Sequence, residues 1–219
     1  MMIITPDNFL PLLKQHLPDN PVIIEAGAFN GKDTKKLSQY FPTGIIHAFE
    51  PVPEIFKELT LQTENIPNIL RYQVALSTQT GSTTFYLAEH PKKPGKICQA
   101  GTLLKPKERL AKSPITYPRE ISVPTITLDA WSKKYDINRI NFMWLDLQGH
   151  ELAVLQASPT ILKTVQLIYI EVNFIQAYEN QPCYDEINAW MAFNGFSPIA
   201  RDFESTYEWF FGNVLYARN

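Results

Sequence analysis

The segment VIIEAGAFNG at 22–31, taken with IIHAFEP at 45–51, limits what this chain can fold into. A short apolar run ends in Glu25, a turn containing Gly27 and Gly31 follows, and a helical pattern begins at Lys32. A second apolar run ends in Glu50. Short apolar runs that alternate with helix-period segments fit parallel strands covered on both faces. A glycine turn after the first strand and an acid ending the second outline a nucleotide-binding crevice at the carboxyl ends of those strands.

The same alternation organises the rest of the chain. A leading helix is expected over 5–17, where Phe9, Leu10, Leu13 and Leu17 recur at helical spacing and Thr5 or Asp7 can cap it. Strands are expected at 21–25, 44–49 and 69–75, with helices at 32–40 and 53–62 between them. The rhythm then breaks. Residues 76–87 read as a hairpin extension turning at Thr80 and Gly81. Residues 88–120, rich in Pro and Lys and without a period, read as a substrate-facing loop insertion. A short strand at 123–127, a helix at 128–135 with Trp131 inward, and a strand at 140–145 leading to Asp146 follow. One helix is expected over 150–163, a strand at 167–172, and a helix at 184–194 closed by Gly195. Residues 196–201 and 210–216 can close the sheet as an antiparallel pair. The expectation is a single doubly wound, Rossmann-like α/β domain over 1–219, with 1–20 as its leading helical segment and an insertion after the third strand.

Composition narrows the partners. A net charge of −2 over 219 residues leaves no electrostatic footprint for nucleic acid. No apolar run reaches membrane-spanning length, and the first residues, with Asp7 and Asp19, do not read as a signal peptide. Cys98 and Cys183 lie far apart without metal-ligand spacing, which reads as free thiols in a cytoplasmic protein. A small-molecule partner is expected, not nucleic acid or a membrane. A homo-oligomer is left open.

The turn chemistry selects among nucleotide cofactors. Glu25 stands where the first glycine of the dinucleotide fingerprint G-x-G-x-x-G would be, so the turn lacks a pyrophosphate cradle. That points away from NAD and toward S-adenosylmethionine (SAM), which has no phosphates and carries a sulfonium and an ammonium. Gly27 and Gly31, with Ala28 and Asn30 between them, permit close backbone approach. Glu25, Asp33 or a bridging water can accept from the ammonium, and Glu50, followed by Pro51, can bond both ribose hydroxyls. The helix beginning near Lys32 offers its amino end to the tail carboxylate. Ala75 and Asp146, at later strand ends, complete the expected cofactor set.

The second half of the chain carries a family resemblance. TITLDAWSKKYDINRINFMWLDLQGHELAVLQAS at 125–158 resembles the FkbM family of SAM-dependent methyltransferases, which has a TLD segment, a strand leading into D-x-E-G-x-E, and a helix with a V-L-x-G-like run. YQVALSTQTGSTTFYL at 72–87, IYIEVNF at 168–174 and the closing NVLYAR are similar to further family segments. The likeness runs from about Pro21 to Arg218. It departs at Gln148, where the family usually has Glu, and at Ala157, where it has Gly. The resemblance implies a class I methyltransferase sheet and O-methylation of hydroxyls on sugars, polyketides or other secondary-metabolite scaffolds. The Gln148 departure keeps a second class open, a catalytically inactive methyltransferase-like interaction module.

Asp146 is the leading candidate for the reaction centre, because the carboxyl end of the fourth strand faces the crevice. It could instead cap the following helix. His150 could serve as base or lie on the surface, and Glu151 could bind substrate or stabilise the helix amino end. Gln148, Glu151 and Asn173 are the candidate substrate-binding residues. Glu171 breaks an apolar strand with Asn173 two residues on, so both point to one side. Glu171 could assist catalysis, and Asp146, Glu171 and Asn173 could together hold one Mg²⁺. Lys and Arg outnumber acids in the insertion, which either attracts an acidic or phosphorylated acceptor or is a solvated loop.

Overall fold

The computed structural model describes residues 1–205 and 209–219. In chain order its elements are β1 (Met2–Ile3), α1 (Phe9–His16), β2 (Val22–Ala26), α2 (Lys32–Tyr40), β3 (Ile45–Phe49), α3 (Pro53–Thr63), β4 (Ile69–Tyr72), β5 (Ala75–Leu76), β6 (Gly81–Glu89), α4 (Arg109–Lys112), β7 (Thr116–Ile126), α5 (Leu128–Lys134), β8 (Phe142–Leu145), α6 (Glu151–Gln156), α7 (Pro159–Leu162), β9 (Leu167–Asn173), α8 (Tyr184–Phe193), β10 (Phe196–Arg201) and β11 (Phe211–Arg218).

The main sheet has the order β1-β10-β11-β9-β8-β2-β3-β4. Strands β9, β8, β2, β3 and β4 run parallel, and β11 enters antiparallel between β9 and β10. Alternation along each strand feeds two cores. Ile24, Met143, Ile168 and Ile170 pack under Trp131, Leu155 and Met191 of the later helices. Ile23, Phe142, Leu167 and Tyr169 pack under Phe9, Leu13 and Leu37 of α1 and α2. The sheet is covered on both faces because its strands are apolar on both. Strand order reverses at β2, so the crevice opens above the carboxyl ends of β2, β3 and β8.

Four local expectations change. The third strand splits: Ile69–Tyr72 stays in the main sheet, while Ala75–Leu76 joins a second sheet of order β5-β7-β6. The short strand expected at 123–127 is the end of an eleven-residue strand, which pairs antiparallel with β6 from Thr116 onward. Most of β7 has a partner on one side only, so Pro118 and Pro124 need break no ladder bond. The helix expected over 150–163 is two helices, α6 and α7. Pro159 lacks an amide N–H and forces Ser158 out of helical geometry (φ −134°). Finally, α1 begins only at Phe9, after Thr5 and Asn8 bond each other's backbone N–H. The edge strand β1 has no counterpart in the sequence reading.

Candidate active site

The turn after β2 is held by geometry that only glycine allows. Gly27 has φ +87°, and a Cβ placed there would lie 2.1 Å from the Asp146 carbonyl oxygen. Its N–H and that of Ala28 both donate to the Phe49 carbonyl, tying the turn to the end of β3. Gly31, also left-handed, starts α2 against Leu59, where a Cβ would meet Leu59 Cδ1 at 2.8 Å.

Two clefts meet over this turn, sharing Gly27, Phe29, Gln99 and Asp146. The first is largely apolar and brings together Glu50, Pro51, Ala75, Asp146 and His150 with Phe49, Ile55 and Leu103. The second, about 140 Å³, gathers Glu25, Ala28, Asn30, Asp33 and Asp146 beside Trp144. Glu50 accepts a hydrogen bond from the Val52 N–H at 2.8 Å. Asp33 pairs with Lys36 at 2.7 Å, and Asn30 accepts weakly from the Lys32 N–H at 3.4 Å. Gly31 lies beneath the clefts and lines neither. Gln99, from the insertion, and Trp144 escaped the sequence reading. Nothing local marks Gln99, and Trp144 reads as core.

The walls are crowded with carboxyls that burial makes reluctant to ionise. It pushes Glu25 up to about 8, with Asp33 and Asp146 adding to the effect, and Glu50 to about 8 against the opposing Val52 N–H. Asp146 and Glu171 are raised for the same reason. One Glu25 oxygen is buried without a hydrogen-bond partner. A crevice with this electrostatics favours a cation.

Beneath the junction lies a polar network. Gln148 (φ +52°) and Gly149 (φ +99°) are consecutive left-handed residues, and this kink turns the Gln148 side chain inward. Its Nε2 donates to Asp146 Oδ1 at 2.6 Å and lies 3.3 and 3.2 Å from the two oxygens of Glu171. Its Oε1 accepts from the Tyr178 hydroxyl at 2.9 Å. Asn173 Nδ2 donates to Glu171 at 3.4 Å, and its own Oδ1 is buried without a partner. Glu151 Oε1 accepts from the N–H groups of Leu147 and Gly149, closing the turn ahead of α6, and burial raises it to about 7. Asp146 therefore does not close the amino end of α6. His150 Nε2 lies 3.1 Å from Ser77 Oγ, and burial lowers its pKa to about 4.

The expected Mg²⁺ set of Asp146, Glu171 and Asn173 does not fit a metal. Amide hydrogens of Gln148 occupy the space between the two carboxyls, where a divalent ion needs oxygen. Among the described residues no group of three or more His, Cys, Asp or Glu is arranged to hold one. Tyr178 is fully buried in this network, and Phe174 packs against Tyr184 and Phe203. Trp209 is exposed.

Residues 25–198 match the Methyltransferase FkbM domain, which spans both clefts and the network beneath them. The chain belongs to the FkbM methyltransferase family. Of its relatives, 2-O-methyltransferase NoeI of Sinorhizobium fredii is 27% identical over 165 residues, 75% of this chain and 68% of the relative. Hexuronic acid methyltransferase AglP of Haloferax volcanii is 24% identical over 58% of this chain, which spans 47% of that relative's length. Among solved structures, SAM-bound magnesium protoporphyrin IX methyltransferase (ChlM) of Synechocystis superposes with a TM-score of 0.55 at 12% identity, over 97% of this chain and 77% of that one. An rRNA methylase of Streptococcus thermophilus gives 0.53 at 13%, over 100% and 99%. These likenesses establish the class I methyltransferase fold for this FkbM domain. No helix among the described residues is long and apolar enough to cross a membrane.

Proposed function

We propose that this FkbM domain transfers the methyl group of SAM to a hydroxyl of a sugar. The observation that carries the reading is the pair of clefts that meet at Asp146, one largely apolar with Glu50 in its wall, the other acidic with Glu25 and Asp33. The first suits an adenosine and the second a cationic amino-acid tail. The 2-O-methyltransferase activity of NoeI supports oxygen as the methylated atom, and the hexuronic acid substrate of AglP supports a saccharide as acceptor.

When bound, SAM supplies an electrophilic methyl group on a positively charged sulfur. Glu50 would accept from the ribose hydroxyls, and the reluctant carboxyls of Glu25 and Asp146 would favour the positive charge. Asp146 stands at the junction with Oδ1 fixed by Gln148, while Oδ2 makes no hydrogen bond among the described residues. With SAM bound, that oxygen would take the proton of the acceptor hydroxyl as it is methylated. Holding the acceptor hydroxyl beside Asp146 would supply much of the rate through positioning. His150, held neutral beside Ser77, lines the first cleft.

Calorimetric titration with SAM, S-adenosylhomocysteine (SAH) and NAD, followed by methyl transfer from labelled SAM to a panel of sugars, tests the proposal. Binding of both adenosyl ligands, no binding of NAD, and label on a sugar oxygen are expected. Folded protein that binds neither adenosyl ligand would refute it.

A further inference from the structure

Arg109 sits where the charge of a solvated loop would not be expected. Although it belongs to the basic insertion, only 8% of it is exposed. Its backbone is stitched down: the N–H groups of Lys107 and Arg109 both donate to the Ala177 carbonyl, and the Glu179 N–H donates to Lys105. Neighbouring cations have partners, Lys105 on Glu179 at 3.2 Å, Lys107 on Gln176 at 2.6 Å and Arg119 on Glu89 at 2.9 Å. Among the described residues Arg109 has no carboxylate within ion-pair distance, and its buried Nε has no hydrogen-bond partner. Its guanidinium instead lies over the rings of Tyr178 (5.7 Å) and Phe210 (5.4 Å), with the Tyr117 hydroxyl beside it.

A buried, unpaired guanidinium is costly unless an anion completes it. The planar fork matches carboxylate and phosphate, and aromatic faces leave its edge free to bond. The group is also close to the chemistry. The Tyr178 ring beneath it bonds Gln148, and Gln148 bonds Asp146. Its charge is felt at both Asp146 and Glu171. One ring and two hydrogen bonds thus link Arg109 to the proposed site of methyl transfer.

We propose that Arg109 recognises an anionic group on the acceptor, a uronate carboxylate or a sugar phosphate, while the hydroxyl to be methylated lies at Asp146. This rests on the sugar methyltransferase reading and narrows its substrate class to acidic saccharides. The three neighbouring pairs leave Arg109 as the cation positioned to select them.

The test is calorimetric titration of SAH-loaded protein with glucuronic acid, glucose 1-phosphate and glucose. At least one charged sugar is expected to bind about tenfold or more tightly than glucose, and the tighter of the two identifies the group. In Arg109→Gln that advantage disappears, and Arg109→Lys, which keeps charge but loses the fork, retains part of it. Equal affinity for all three sugars, including no binding of any, overturns the proposal. So does an advantage that survives in an Arg109→Gln protein of unchanged circular dichroism. Should Arg109→Gln not fold, the wild-type comparison and Arg109→Lys decide. Equal methylation of charged and neutral sugars removes the anion site and leaves the methyltransferase reading standing. Failure to bind SAH removes both.

Discussion

Gly27→Ala is the sharpest perturbation of this site, because the added atom meets backbone. Two costs are separable. At φ +87° an L-residue costs about 1–2 kcal/mol relative to glycine. The new Cβ would also lie 2.1 Å from the Asp146 carbonyl oxygen, against an ordinary contact of 3.4–4 Å, so β8 and the turn must separate by more than 1 Å. That movement strains the bond from the Asp146 N–H to the Ala26 carbonyl, now 3.0 Å, and a buried N–H left unpaired costs about 1–3 kcal/mol. The sum, about 2–5 kcal/mol, is a large part of a typical domain's 5–15 kcal/mol. Gly195→Ala is the control: it has φ +79° but nothing within 4 Å of its Cβ, so it carries the first cost alone. Urea denaturation of both variants gives the stability difference, and calorimetry with SAM gives the functional one. Because the clash displaces Asp146 itself, any Gly27→Ala protein that folds is expected to lose on the order of 100-fold in turnover. Equal destabilisation by the two substitutions, or wild-type turnover in Gly27→Ala, would refute the argument that the turn and Asp146 are in contact.

Three further outcomes follow from the site. Burial raises Glu25 and Glu50 to about 8 and Glu151 to about 7, so their stabilising contribution is full below 4.5 and is lost as pH climbs to those values; His47 and His150, lowered to about 4, lose theirs only as pH falls below 6.5. The thermal midpoint of ligand-free protein should therefore fall between pH 6.5 and 8, and SAM should raise it more at pH 8; a flat profile across that window would contradict the burial of these acids. Asp146→Asn should keep SAM affinity within a few fold by calorimetry while turnover drops about 10²–10⁴-fold, the usual worth of a positioned base, and full turnover would exclude Asp146 from that role. Gln148→Glu restores the residue common in the family but sets a third carboxyl against Asp146 and Glu171, so it should destabilise the protein by urea denaturation, more at pH 8 than at pH 6. Unchanged stability at both pH values would show that the amide is not what keeps those two groups together.

Much of the fold was legible because its signals are local. The helices at 32–40 and 184–193, the strand at 45–49 and the antiparallel closing pair follow from apolar period and glycine placement, which need no knowledge of distant residues. Pro159 was readable too, but the apolar period running through it suggested one helix where the missing N–H makes two. The glycine turn and the acids ending β2 and β3 were fixed in position by the chain itself, since parallel strands of a doubly wound sheet open their carboxyl ends to the same crevice.

What only tertiary structure decided is which side chains meet. The long β7 strand is half exposed and carries prolines, so its pattern is weak until β6 pairs with it. Gln148, which reads as the loss of a carboxylate, becomes the donor that bridges Asp146 and a glutamate 23 residues away, and Asn173 turns its amide to the same glutamate. Arg109 looks like one more cation in a basic loop until the 105–109 backbone is laid along 177–179 and its guanidinium comes to rest on Tyr178. Period and turn chemistry act between neighbours in sequence. Desolvation and hydrogen-bond pairing act between neighbours in space, and they alone set the charge and reach of this site.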